Sequence, residues 1–341
     1  MKRRLPAEWE AQDGVLLAWP HMDSDWGDSL EAVEPVFVHL AREISHSERV
    51  LIVAPEIEPV RESLRQCGVD LERVSLYQMP TNDTWTRDFG PFTILEEGRP
   101  VLLDFGFNAW GLKFAAHFDN QITGKLARSG VFGSHEVRIP GLILEGGSVE
   151  SDGAGTLLTT SDCLLSPNRN PHLDRQGIEQ ALGGLFGVTR VLWLENGYLA
   201  GDDTDSHIDT LARLCPDNTI VYVKCDDPRD EHFSALTAME AELQGFRTND
   251  GRPYRLVPLP WPKARFDHSG QRLPATYANY LLINGAVLVP TYRDIQDKAA
   301  LATMAQIFPQ RKIIGIDCLP LIPQHGSLHC VTMQIPQGVL A

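Results

Sequence analysis

With 341 residues, 43% of them hydrophobic, the chain has enough apolar material for one large core or two ordinary ones. A formal net charge of -15 excludes the clustered basic surface on which nucleic-acid binding depends; it suits a small cationic partner, although acidity kept for solubility explains it as well. The six cysteines, at 67, 163, 215, 225, 318 and 330, form no C-x-x-C pair and no framework spacing, so reduced thiols in a cytoplasmic protein are expected rather than a zinc ribbon or a disulfide scaffold.

The first ten residues carry basic side chains with no apolar run after them, unlike a secretory signal. Hydrophobic periodicity predicts helices near 30–45, 57–67, 114–129, 174–186, 229–244 and 294–307. Short β-rich runs follow them: Val50 to Val53, Val74 to Tyr77, Glu136 to Ile139, Val191 to Leu194, Tyr254 to Val257 and Lys312 to Gly315. The runs that begin at 74, 136, 191, 254 and 312 recur at intervals of about sixty residues, the mark of repeated supersecondary units closed around an axis, the first segment completing the last unit. The uncharged stretch from Leu273 to Tyr292 is interrupted by Pro274, Asn279, Asn284, Gly285 and Pro290 and reads as two buried strands joined by an Asn-Gly turn, not as a membrane span.

Chemistry-bearing residues fall just after successive runs: Asp88 in Asn82-Asp83-Thr84-Trp85-Thr86-Arg87-Asp88, Glu145 in Glu145-Gly146-Gly147-Ser148, His207 and Asp209 after Asp202-Asp203-Thr204-Asp205, and Cys330 in the last unit. Equivalent loops of a closed repeat converge, so these residues are expected to meet. The fourth unit offers Tyr277-Ala278-Asn279-Tyr280, which reads as packing. A thiol surrounded by carboxylates suits a cationic electrophile, and the natural cation with an attackable carbon is a guanidinium. Two carboxylates, Asp88 and Asp209, would grip it by paired N–H bonds; His207 would protonate departing ammonia and deprotonate water; Glu145 would orient His207. Trp85 and Trp110 could stack on the cation or its alkyl chain.

Taken singly, each feature has a plainer explanation. Asp88 beside Arg87 suits a structural ion pair, Glu145-Gly146-Gly147 a tight turn, and a lone cysteine the core. His325 and His329 read as turn and packing residues. Asp202, Asp203 and Asp205 with His207 and Asp209 have irregular spacing for a cation site, and no metal is expected there. The joint occurrence of these groups favours the catalytic reading.

These motifs together resemble the agmatine deiminase family, grouped with Porphyromonas-type peptidylarginine deiminases among guanidino-group-modifying enzymes. The resemblance runs from Pro6-Ala7-Glu8-Trp9-Glu10 and Leu17-Ala18-Trp19-Pro20 through Asn82 to Pro91, Glu145 to Ser148, His207-Ile208-Asp209, Asn284-Gly285-Ala286-Val287 and His329-Cys330. It implies one catalytic domain over 1–341 built as a five-bladed pseudo-symmetric α/β propeller (pentein), with no cofactor. It further implies Cys330 as nucleophile, His207 as acid and base, Asp88 and Asp209 as clamps, and Glu145 as the partner of His207. Asp203 stands where the family often places a Glu against the distal amine of agmatine. Ser206 replaces the usual Gly before the histidine, and Gly326-Ser327-Leu328 replaces the commoner Gly-Gly-Asn-Ile.

The expected reaction is hydrolysis of agmatine to N-carbamoylputrescine and ammonia through a thiouronium on Cys330, a step of polyamine metabolism toward putrescine. Deimination of free or peptidyl arginine is the first rival, with Arg87, Arg169 and Arg213 as candidate readers of a substrate carboxylate. A non-catalytic guanidine- or polyamine-binding protein is the second. The expected partner is a small guanidinium compound, with neither nucleic acid nor membrane; a homo-oligomer is compatible with the sequence.

Overall fold

The computed structural model describes residues 2–341 as an α/β assembly of small sheets. Five of them share one pattern. A middle strand pairs antiparallel with an inner strand and parallel with an outer one, and a helix lies between middle and outer strands in the chain. The middle strands are Gln12–Ala18, Arg99–Leu103, Thr156–Thr160, Thr219–Val223 and Ala286–Thr291. Their parallel partners are Arg49–Ala54, Glu136–Arg138, Arg190–Leu194, Arg255–Leu259 and Lys312–Asp317. A separate two-stranded hairpin joins Arg265–Phe266 to Arg272–Leu273.

The middle strands are largely apolar runs because both faces are covered, one by the core and one by the crossover helix. Ala286–Thr291 illustrates how sequence sets register: Asn284-Gly285 turns the chain with Gly285 at φ 78°, and Ile283 then pairs with Ala286. The first of the five sheets is closed by the C-terminus, where Met333–Pro336 pairs antiparallel with Gln12–Ala18.

The inner strands are Phe92–Glu96, Val149–Ser151, Ala212–Cys215, Leu281–Ile283 and Met333–Pro336. A few residues before these five starts stand Asp88, Glu145, Asp209, Asn279 and Cys330. The topology thus delivers one polar side chain per sheet to the same end of the inner strands. A second apolar cluster, in which Phe186 packs on Phe92 and Phe105 at 5.2 and 5.7 Å between ring centroids, braces the Asp88 and Glu145 sheets.

Five of the six predicted helices occur, at Leu30–Ser45, Ile57–Gln66, Arg175–Phe186, Phe233–Gly245 and Asp297–Ile307. The helix expected over 114–129 shrinks to Ile122–Arg128 after a 3₁₀ turn at Asp119–Gln121. The backbone N–H of Phe118 and that of Asp119 donate to Asn82 Oδ1 at 2.7 and 3.3 Å, and the Asp119 carboxylate accepts from Asn82 N and Asp83 N. Groups that would extend the helix are committed to the loop that carries Asp88. No helix among the described residues is long and apolar enough to cross a membrane.

Candidate active site

Cys330, Asp88, Trp85, Trp110 and Asp203 line one cavity of about 130 Å³. His207, Asp209 and Glu145 are fully buried beneath it. His207 Nδ1 faces Asp88 Oδ1 at 3.7 Å and its Nε2 faces Glu145 Oε2 at 3.8 Å, both too long for hydrogen bonds. Neither ring nitrogen has a partner, and nor does Asp209 Oδ1. Buried polar atoms without partners are rare, and of these three Asp209 Oδ1 is an acceptor free for a ligand N–H. Gly147 lies among them: a Cβ there would sit 2.6 Å from His207 Nδ1, 3.0 Å from Asp88 Oδ1 and 3.1 Å from Asp209 Oδ2.

Asp88 is aimed by two donors, Gly147 N to Oδ1 at 3.0 Å and Trp110 Nε1 to Oδ2 at 3.0 Å. Trp110 reaches it from a left-handed backbone at φ 55°, ψ 45°, held by Asn108 Oδ1, which accepts from Gly111 N at 2.9 Å. That conformation costs a bulky residue roughly 1–2 kcal/mol and is retained against the active cavity. Ser206, where glycine is usual, is likewise left-handed at φ 62°; its N–H donates to Asp202 Oδ2 at 2.8 Å.

Burial pushes the Asp88 carboxyl up to about 6, His207 pulling it down and Asp209 and Glu145 pushing further up. Burial alone would lower His207, but Asp88, Cys163 and Glu145 outweigh it and hold the imidazole well above its ordinary value. Burial, then Asp209 and Asp88, hold the Cys330 thiol well above the usual thiol range. These surroundings favour the protonated thiol and the charged imidazole.

Several groups at the site escaped the sequence reading. Asn279, read as packing, donates through Nδ2 to Cys330 Sγ at 3.3 Å and to Asp209 Oδ2 at 3.2 Å. Its place in the fourth repeat was the one available signal. His329 is no mere packing residue either: its Nδ1 meets Asp209 Oδ2 at 2.7 Å. Asp25, Asp83 and Phe114 complete the cavity wall beside Asp203. The three arginines considered as readers of a substrate carboxylate are all occupied below the surface. Arg169 Nε grips both Glu145 oxygens at 3.0 and 2.8 Å and its Nη1 holds Asp205 at 2.6 Å; Arg87 pairs with Glu8; Arg213 pairs with Glu8 and Glu150. The cavity lining contains no arginine or lysine.

Asp202, Asp203 and Asp205 do not assemble a metal-binding group with His207. Among the described residues the spacing of metal ligands occurs at Glu145, Cys163 and His207, whose ligand atoms lie within 4.8 Å of one another. Arg169 already occupies both oxygens of that glutamate, which sets a cation against a cation.

Residues 4–336 match the family described as Porphyromonas-type peptidyl-arginine deiminase. The chain belongs to that family. It is 30% identical over 355 residues to agmatine deiminase of Pseudomonas syringae, covering 97% of this chain and 95% of that one. A Porphyromonas gingivalis structure provisionally named arginine deiminase is 52% identical, with TM-score 0.95 and 100% of both chains covered. A Cys-to-Ser variant of C. jejuni agmatine deiminase with substrate bound is 39% identical, with TM-score 0.92, covering 99% of this chain and 97% of that one. Names within the family thus divide between agmatine and arginine, and the cavity must decide.

A Gly147→Ala substitution should abolish turnover, because its methyl group would displace His207 or a carboxylate, while thermal unfolding shifts by only a few degrees. Activity within about threefold of wild type would show that the three groups tolerate separation.

Proposed function

We propose that the protein hydrolyses agmatine to N-carbamoylputrescine and ammonia, and that Cys330, His207, Asp88, Asp209 and Glu145 carry the reaction. The observation that supports it most is the unpartnered buried Asp209 Oδ1, beside a thiol and the His207 imidazole, under a cavity whose lining carries four aspartates and no arginine or lysine. The same reading takes the five recurrent sheets as blades of a five-bladed pseudo-symmetric α/β propeller forming one catalytic domain over 1–341.

The guanidinium enters with its N–H groups toward Asp88 and Asp209 Oδ1 and brings the positive charge that these carboxylates lack. It also offsets the two anions that hold the Cys330 proton in place, so with substrate present the thiol gives its proton to solvent and the thiolate forms. The thiolate attacks the guanidinium carbon, and one amino group takes a proton from His207 and leaves as ammonia, giving a cationic S-alkylthiouronium on Cys330. Water attacks the same carbon as neutral His207 accepts its proton. Collapse breaks the C–S bond, the hydroxyl proton restores the thiol, and the ureido product departs. Glu145, held by Arg169, keeps the imidazole charged and facing the leaving group.

Substrate choice follows from the mouth. Agmatine carries a second cation one butyl chain from its guanidinium, whereas arginine places a carboxylate beside that amine. Asp203, Asp83 and Asp25 attract the first and repel the second, and the lining holds no arginine or lysine to receive a carboxylate. Trp85, Trp110 and Phe114 offer apolar surface for the chain between the two charges. The product is a carbamoylated diamine, which places the reaction on a route to putrescine.

Cys330→Ala should leave no measurable turnover with the fold intact. A haloacetamidine should label Cys330 and agmatine should block it, Cys67 reacting as exposed background. Neutral iodoacetamide should react slowly at Cys330 until the pH exceeds the ordinary thiol range. Protected labelling at Cys163 or Cys215 would reassign the nucleophile.

Because Asp88 takes up its proton as pH falls through about 6, the charged clamp exists only above that value. We therefore expect kcat/KM to decline about tenfold per unit below pH 6, and Asp88→Asn to cost more than about tenfold and flatten that limb. An acid limb unchanged in Asp88→Asn would assign it to another group.

Ammonia and ureido-product assays on agmatine, arginine and a blocked arginine peptide test specificity. Wild type should prefer agmatine by at least about tenfold in kcat/KM, and Asp203→Asn should narrow the gap chiefly by losing agmatine. Equal rates on agmatine and the peptide, or an unchanged ratio in Asp203→Asn, would sink the substrate assignment and leave deimination standing.

A further inference from the structure

The Pro6-Ala7-Glu8-Trp9-Glu10 segment has no place in the chemistry above, yet its Glu8 is tied to three of the catalytic segments. Its carboxylate accepts from Arg87 Nη1 at 3.1 Å and from Arg213 Nη2, and its two oxygens face His329 Nε2 at 2.8 and 3.1 Å. Arg87 precedes Asp88, Arg213 opens onto the strand after Asp209, and His329 precedes Cys330. Glu8 lines a separate cavity of about 70 Å³, so it acts from behind the site rather than within it.

We infer that Glu8, acting through His329, is a positioning residue for the Asp209 clamp; the inference rests on the reading that Asp209 pairs with the substrate guanidinium. His329 Nδ1–H and Asn279 Nδ2–H both bind Asp209 Oδ2, at 2.7 and 3.2 Å, which leaves Oδ1 as the free oxygen. The terminal torsion of an aspartate is broad, so without the short His329 bond either oxygen could turn toward the cavity. The clamp would then lose its orientation even though its charge remained.

Glu8 fixes the other end of the ring. An imidazole nitrogen and a carboxylate oxygen approach to 2.8 Å only with a proton between them, so Nε2 donates to Glu8 while Nδ1 donates to Asp209. Burial, Arg213 and Arg87 hold His329 below its ordinary value against Glu8 and Asp209, so the second ring proton depends on the short contacts to these two carboxylates. Removing the charge of Glu8 lets Arg213 Nη2, 3.1 Å from Nε2, take over as donor and leaves Asp209 with a weaker neutral partner.

The test compares His329→Gln, His329→Asn and Glu8→Gln by kcat and KM for agmatine, by calorimetric binding of agmatine in a Cys330→Ser background, and by thermal unfolding. An asparagine amide can stand near the place of Nδ1–H, whereas a glutamine amide stands near that of Nε2. We expect His329→Gln to lose about 10–100-fold in kcat/KM and in agmatine binding, His329→Asn to stay within about fivefold of wild type, and Glu8→Gln to lose about tenfold. Glu8→Gln added to His329→Gln should bring no further loss, since both act through one bond.

Equal loss in the Asn and Gln variants, or a fully additive double variant, overturns the inference. Should neither His329 variant fold, Glu8→Gln alone decides, and wild-type kcat/KM in it overturns the inference. Asp209→Asn separates the two readings. If it binds agmatine like wild type, the clamp itself is wrong; if it fails to bind while Glu8→Gln and His329→Gln bind normally, only the positioning role is wrong.

Discussion

Three carboxylates, Asp88, Glu145 and Asp209, are held out of water around one imidazole and one thiol, and most of what is unusual in this protein follows from that arrangement. Removing an ion from water costs several kcal/mol unless partners replace the solvent. Glu145 recovers it from Arg169, and Asp209 recovers part of it from His329 and Asn279. Asp88 has only neutral donors, Gly147 N and Trp110 Nε1, and its carboxyl is correspondingly pushed up to about 6. Asp88 is thus left without a charged hydrogen-bond donor at the place where a guanidinium would supply one.

The same anions act on Cys330, the proposed nucleophile: burial, Asp209 and Asp88 oppose its ionisation. On the proposed reading, a cation between Asp88 and Asp209 would offset this and tie reactivity to a positively charged substrate. Specificity and activation become two consequences of one electrostatic deficit.

The scaffold was legible in the sequence wherever local pattern decides structure. The β-rich runs are the outer strands of the five sheets, save that Val74 to Tyr77 is an added strand beside Arg49–Ala54 and not the outer strand of a further repeat; Asn284-Gly285 gave a turn, and the loops after the runs do meet. What escaped was pairing across long separations. Nothing near Arg213 in the sequence points to Glu8, and nothing near Arg169 points to Glu145, so both arginines were open to a reading as substrate contacts until burial excluded it. Tyr277-Ala278-Asn279-Tyr280 hid a site residue because its aromatic neighbours pack as expected and only the amide faces Cys330. The helix expected through 114–121 failed for a related reason. Apolar periodicity cannot register that Asn82, far upstream, takes the backbone donors of Phe118 and Asp119.

Asp203 shows how the two ends of the cavity divide the work. Its backbone carbonyl is taken by Lys113 Nζ, which also binds Asp205 Oδ1 at 2.7 Å, so the loop is anchored while the Asp203 carboxylate is left to the cavity. Burial and the neighbouring Asp202 raise its carboxyl above the ordinary value, which again favours a cation as partner. An aspartate is one methylene shorter than the glutamate usual at this position, and Asp83 and Asp25 on the same wall add charge that a lone shorter side chain would lack. On the proposed reading, a substrate cationic at both ends and apolar between them would meet complementary surface along its length: buried acids at the guanidinium, Trp85, Trp110 and Phe114 along the chain, and a second group of acids at the amine. Arginine shares the first two contacts, and its carboxylate would stand against the third.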